Sequence, residues 1–252
     1  MNIIEKKIHL KRLNRDATLY LGIPKSDVTH ILYVHDAQNI FSDQNASYGM
    51  GWNIHKVLKK MGIHHVLVAG VNCADGYDRL NEYAPFPIDY PPLKKTSARG
   101  GLGKTYLEDL IEAVIPTVEK TYPIEAAHRM MMGSSMGGII SLYAGFEYPD
   151  IFPRIASVSG AYYVSLKAFQ NYFKQSFKRL PEFVYLDVGD QEEGLSDQSG
   201  YLHAHATIKK ALTQHLKPNQ WVETIISGGK HNEVSWHQRL PDILTHLIKK
   251  SH

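Results

Sequence analysis

Two glycines flank a serine at a spacing suited to nucleophilic chemistry, in Gly133-Ser134-Ser135-Met136-Gly137. The apolar run Met130-Met131-Met132 precedes it and Gly138-Ile139-Ile140 follows, which reads as a strand turning sharply into a helix. A residue at such a turn has a strained backbone, so positions two away must carry no side chain. The turn lifts Oγ of Ser135 above the sheet edge and sets it at a helix N-terminus, where the N–H of Met136 faces developing negative charge. Ser134 occupies the free position of the pattern. Serine becomes a nucleophile only when a base takes its proton, and the base needs an orienting acid. Gly228-Gly229-Lys230-His231-Asn232-Glu233 offers His231 as that base, on a glycine-rich loop before the last helix. Gly189-Asp190-Gln191-Glu192-Glu193-Gly194 offers the acid, and spacing alone does not choose between Asp190, Glu192 and Glu193. A second oxyanion donor belongs on His35-Asp36-Ala37-Gln38-Asn39, from the N–H of Ala37 or Gln38, with Asp36 as a brace.

These residues need strands and helices to hold them. Residues 3–10 and 17–23 alternate as an antiparallel hairpin around Asn14-Arg15-Asp16. Short apolar runs at 31–34, 65–70, 129–132, 155–158, 183–188 and 221–226 read as strands. Helical spacing is expected over 54–61, 107–118, 137–146, 166–177, 202–216 and 235–249. Pro116 should kink the second of these helices or end its regular part. Strands alternating with helices predict an α/β fold, a mostly parallel twisted sheet with helices on both faces. Residues 72–103 show little periodicity and several prolines, which predicts a long loop draped across a site. Tyr77, Tyr83, Phe86 and Tyr90 on that loop, with Tyr162, Tyr163 and Tyr172, are candidate pocket walls. Core packing is the competing reading.

The chain has 252 residues, 43% of them hydrophobic, which suits one domain with a substantial core. A formal net charge of +3 and the absence of a basic aromatic stripe argue against nucleic acid as the main ligand. The single cysteine, Cys73, excludes an intrachain disulfide. No apolar run reaches the length of a membrane span and the N-terminus lacks a signal-peptide core, so a cytoplasmic address is expected. His35, His55, His64, His65, His203, His205, His215, His237, His246 and His252 read as surface or packing residues. His203 and His205, two apart on a helix, make a poor metal pair. Neither a metal nor an organic cofactor is called for.

With these segments in place, the chain resembles the putative esterase family of α/β hydrolases. That family includes esterase D type S-formylglutathione hydrolases, feruloyl and acetyl-xylan esterases, enterochelin esterases and antigen 85 mycolyltransferases. Tyr33-Val34-His35-Asp36-Ala37-Gln38-Asn39-Ile40-Phe41 is similar to its "hDGQNlF" segment, with Ala37 in place of glycine. Arg79-Leu80-Asn81-Glu82-Tyr83 resembles "R-x-x-E-Y", Tyr185 to Glu192 the "lDvGtxE" acid loop, and Gly228 to Trp236 the "G-G-x-H-x-x-x-x-W" loop. The resemblance spans roughly residues 15 to 248 and implies an α/β-hydrolase fold without a large lid domain. It puts the acid on Glu192, with Asp190 as the alternative, and makes Arg79 and Glu82 an expected structural ion pair. If the family glycine needs an unusual backbone angle, Ala37 should strain the oxyanion loop.

The implied activity is serine carboxylic-ester hydrolysis through an acyl-enzyme, on short acyl or aromatic esters as small-molecule substrates. Rivals are an acyltransferase or a siderophore or thioester hydrolase with the same triad, and a non-catalytic binding protein on the same fold. Relatives often associate, so a homo-oligomer is a further expectation that the resemblance carries.

Overall fold

Among the described residues, eight strands make one sheet in the computed structural model, which describes residues 1–43, 50–192 and 198–248. β1 (Asn2–Leu10) and β2 (Arg15–Ile23) form the expected antiparallel hairpin. Asn14 closes its turn at φ 50°, a left-handed angle that asparagine tolerates. β3 (His30–Val34) and β4 (Val66–Val71) follow. β2 pairs antiparallel with β4, and every later pairing is parallel: β4 with β3, β3 with β5 (Arg129–Ser134), then β6 (Arg154–Val158), β7 (Phe183–Gln191) and β8 (Trp221–Lys230).

The order across the sheet is β1-β2-β4-β3-β5-β6-β7-β8. The chain leaves β3 toward β4 but leaves its neighbour β5 the other way, toward β6. Strands that send the chain apart leave a crevice beyond their carboxyl ends, where sheets of this kind bind ligands. β3 runs into His35 and Asp36, and β5 runs into Ser135.

The helices are α1 (Ile54–Lys60), α2 (Gly76–Tyr83), α3 (Gly103–Asp109), α4 (Ile115–Glu119), α5 (Met136–Glu147), α6 (Leu166–Tyr172), α7 (Gln198–Leu212) and α8 (Glu233–Leu247). Side chains alternate across the strands, so Ile31, Tyr33 and Met131 pack on one face with α3, α4, α5, α6 and α7. Leu32, Val34, Met130 and Met132 pack on the other face with α1 and α8. No helix among the described residues is long and apolar enough to cross a membrane.

Several expectations are corrected. Residues 72–103 are not an irregular drape: they contain α2 and a 3-10 turn, Pro91–Leu93. Asn81 Oδ1 accepts the N–H groups of Arg99 and Gly100, at 2.6 and 2.9 Å, which ties the segment to itself. Pro116, by contrast, falls where the regular helix is interrupted, as expected: α3 ends at Asp109 and α4 begins at Ile115. The proline has no N–H to donate back to residue 112, and the chain runs through a π-turn, Leu110–Val114, that widens the helix just before it. α6 stops well short of residue 177, because Phe173 and Phe177 turn to join Phe146 and His215 in one aromatic cluster. β7 and β8 run longer than their apolar cores, to Gln191 and Lys230, so Asp190 lies within a strand.

Candidate active site

Ser135 sits between β5 and α5 at φ 57° and ψ −118°, outside the ordinary regions for a residue with a side chain. Its neighbours hold it there. Its N–H donates to Val158 O at 2.9 Å, and its carbonyl accepts from Gly138 and Ala161, each at 3.1 Å. A Cβ on Gly133 would come within 2.9 Å of the Gly137 backbone, and one on Gly137 would press on His35 at 3.1 Å. Contact therefore requires glycine at 133 and leaves little room for a side chain at 137.

The structure brings His231 and Glu192 to this serine from two other strand ends. His231 Nε2 lies 2.9 Å from Ser135 Oγ, and its Nδ1 lies 2.5 Å from Glu192 Oε2. The Glu192 carboxylate is fully buried. Its Oε1 accepts the Gly189 N–H at 2.7 Å and the Ser159 hydroxyl at 2.6 Å. Burial pushes this carboxyl up, but the hydrogen bonds from His231, Ser159 and Gly189 outweigh it and leave it below the usual carboxylate range. Asp190 points elsewhere, accepting the Gly228 N–H at 2.7 Å across the β7–β8 pair. Glu193 lies outside the described residues.

The imidazole of His231 is held on two sides. The Trp236 ring meets it edge-on at 5.0 Å, and the Tyr201 ring lies at 4.6 Å. Trp236 Nε1 and Arg239 Nη1 both donate to Ser159 Oγ, at 3.0 and 3.2 Å. Arg239 also donates to Asp187 Oδ1 at 2.9 Å. Burial pushes the Asp187 carboxyl up to about 6 against the pull of Arg239. Thus α8 carries, one and two turns on from His231, the groups that position its acid.

On the β3 side, Met136 is the first residue of α5, where the N–H has no acceptor within the helix. Ala37 opens a 3-10 turn, Ala37–Asn39. Gln38 lines the cavity beside Ser135, while the Ala37 side chain is buried against Gly70. The Gln38 amide is fixed by Cys73, whose N–H donates to Oε1 at 3.3 Å while Nε2 donates to Sγ at 3.1 Å. The expected strain at Ala37 is absent: the left-handed angle in this loop belongs to Asp36, at φ 53° and ψ 47°. Asp36 is the brace. Arg79 Nε and Nη2 grip its two oxygens at 2.6 and 2.8 Å. Burial pushes the Asp36 carboxyl up, and Arg79 more than reverses this. The expected Arg79–Glu82 pair is therefore not formed, since Glu82 pairs instead with Arg15, at 2.6 and 2.7 Å.

The cavity at Ser135 has a volume of about 160 Å³ and is walled chiefly by Trp52, Trp236, Gln38, Arg79 and Glu233. The candidate aromatic walls lie elsewhere. Tyr83 and Tyr162 are fully buried, and Phe86 and Tyr172 pack with Tyr143. Tyr90 meets Tyr163, and Tyr163 meets Tyr201, edge to face on the Nε2 side of His231, and Tyr77 is exposed. Core packing describes Tyr83, Phe86, Tyr162 and Tyr172. Sequence reading missed Tyr201, Ser159 and Arg239. Only Ser159 carried a signal, as a serine at the carboxyl end of β6 beside the elbow.

A family model described as "Putative esterase" matches residues 11–247. Among curated relatives, the chain is 30% identical over 250 residues to the uncharacterized protein YbbA of Bacillus subtilis (strain 168), covering 94% of each chain. An IroE-like serine hydrolase from Shewanella oneidensis superposes with TM-score 0.77 at 16% identity, covering 98% of this chain and 80% of that one. The BES protein of Bacillus cereus superposes with TM-score 0.72 at 18% identity, covering 96% of both. At these identities the two structures speak for the fold.

Proposed function

The chain belongs to the putative esterase family, a family of carboxylic-ester hydrolases, and from that premise we propose that it works through Ser135, His231 and Glu192. The observation that carries the reading is the hydrogen-bonded line from Ser135 Oγ through both nitrogens of His231 to Glu192. Oγ attacks the carbonyl of an ester or thioester while His231 Nε2 takes its proton, and Glu192 stabilises the imidazolium. The N–H of Met136, with that of Gln38 or Ala37, holds the oxyanion. His231 then protonates the leaving alcohol, and water attacks the acyl-enzyme with His231 again as base. The acid is released and the serine restored.

The small cavity at Ser135 supports short acyl groups over long chains. Hydrolysis of 4-nitrophenyl esters from acetate to octanoate tests this, with the Ser135→Ala and His231→Ala variants alongside. Turnover should decline from the short to the long esters, and both variants should fall by about three orders of magnitude or more. Activity that survives Ser135→Ala, or that rises steadily to octanoate, contradicts the reading.

A further inference from the structure

Two buried polar atoms at the walls of the Ser135 cavity have no hydrogen-bond partner among the described residues: Oε2 of Glu233 and Nε2 of His35. Glu233 is 3% exposed and His35 2%. A carboxylate oxygen shut away from both water and donors is costly, and such groups persist where something else completes them. Part of Glu233 is accounted for by its place as the first residue of α8, where its own N–H and the helix N-terminus serve the carboxylate. Oε2 is left over. The cation that acts on this carboxylate, Arg79, is already engaged, since it holds both oxygens of Asp36. His35 is engaged only at Nδ1, 3.0 Å from the Tyr106 hydroxyl. Burial holds its ring down to about 4, so it is neutral at ordinary pH.

Resting on the serine-esterase reading above, we propose that Glu233 and His35 recognise a hydroxyl group on the acyl part of the substrate, which makes short hydroxyacyl esters the preferred class. A hydroxyl donates to a carboxylate and also bonds to an imidazole nitrogen, so it suits both orphaned atoms. A plain alkyl chain would leave Oε2 desolvated and unpaired. An acidic group would meet the Glu233 carboxylate, whose charge Arg79 does not offset because it is held by Asp36. Ser135, His231 and Gln38 all line the cavity, and Gln38 as an oxyanion donor would set the substrate carbonyl, with the acyl chain bonded to it, against these walls.

The test compares 4-nitrophenyl 3-hydroxybutanoate with 4-nitrophenyl butanoate, and labels Ser135 with a fluorophosphonate. Wild type should favour the hydroxy ester by about tenfold or more in kcat/KM, because a site built to bond a hydroxyl discriminates against its absence. Glu233→Leu should bring that ratio near one, and Glu233→Gln, whose amide oxygen still accepts, should fall between. The ratio is internal to each variant, so partial loss of folded protein does not disturb it. A wild-type ratio of one or less, or a ratio unmoved by both substitutions, overturns the proposal and leaves the serine mechanism standing. So does labelling at Ser135 without turnover of either ester. Absence of both labelling and turnover defeats the serine mechanism, and this proposal with it.

Discussion

The phenol oxygen of Tyr201 lies 3.2 Å from Nε2 of His231, the same nitrogen that stands 2.9 Å from Ser135 Oγ. In acyl transfer this nitrogen must hand its proton to the departing oxygen, so the Tyr201 hydroxyl stands beside the point where that oxygen arrives. Burial holds the phenol far above its ordinary range, which keeps it protonated and able to donate. Tyr201→Phe should lower kcat/KM for ethyl esters by about 5- to 10-fold, the worth of one hydrogen bond. The loss should be smaller for 4-nitrophenyl esters, whose leaving group departs without a proton. Equal losses for the two ester types would show that Tyr201 only packs.

Glu192 and Asp190 are separated by one residue and do different things. The first faces His231 Nδ1, and the second braces Gly228. Glu192→Gln keeps the shape and removes the charge that favours the imidazolium. It should cost about three to four orders of magnitude in kcat. Asp190→Ala should cost less than about threefold, since one backbone contact is lost at a strand end. Steady-state kinetics on a short ester decides, and the reverse ranking would move the acid to Asp190.

Beneath the acid lies a buried ion pair. Arg239 and Asp187 are almost wholly enclosed, with 4% and none of their side chains exposed. Arg239→Met strands the Asp187 carboxylate and should cost about 3 to 5 kcal/mol in urea unfolding. Replacing both partners, Arg239→Met with Asp187→Leu, should recover much of that loss, because no buried charge remains. A double variant weaker than the single one would mean that the pair is held by geometry that neither apolar residue restores.

His35 ties stability to pH. Unfolded, it titrates near 6.5; folded, burial lowers it to about 4, with Asp36 pulling up and Arg79 pushing down. Between these values the unfolded chain binds a proton that the folded one does not. Stability therefore rises with pH across that window and is lost as pH falls from 6.5 to 4. The contribution is on the order of 3 kcal/mol. Denaturant unfolding at pH 7, 5.5 and 4 should show this slope, and His35→Gln should flatten it by that amount. Parallel curves for the two proteins would contradict it.

What the sequence disclosed follows from how local each feature is. The elbow is written within five residues, because steric contact between Gly133 and Gly137 demands it, and Ser135 could be named without a neighbour from elsewhere. His231 was legible for a similar reason, as a histidine between a strand and the last helix. The acid was not, since Asp190 and Glu192 differ only in which way a strand end turns, and resemblance ranked them. Arg79 shows the limit. Glu82 is three residues away on the same helix, yet the tertiary fold gives Arg79 to Asp36 and Glu82 to Arg15. α2 itself was hidden among prolines and polar residues, with too short an apolar face to register. Tyr201 reaches His231 from a separate helix, and no spacing in the chain announces it.

The most direct test of the central claim is to trap the acyl-enzyme. Wild-type protein mixed with excess 4-nitrophenyl acetate, quenched in acid within the first turnovers and digested, should yield one acetylated peptide. The account predicts the acetyl group on Ser135, with none there in His231→Ala under the same exposure. Acetylation at another residue with full turnover, or hydrolysis by Ser135→Ala at the wild-type rate, would contradict it.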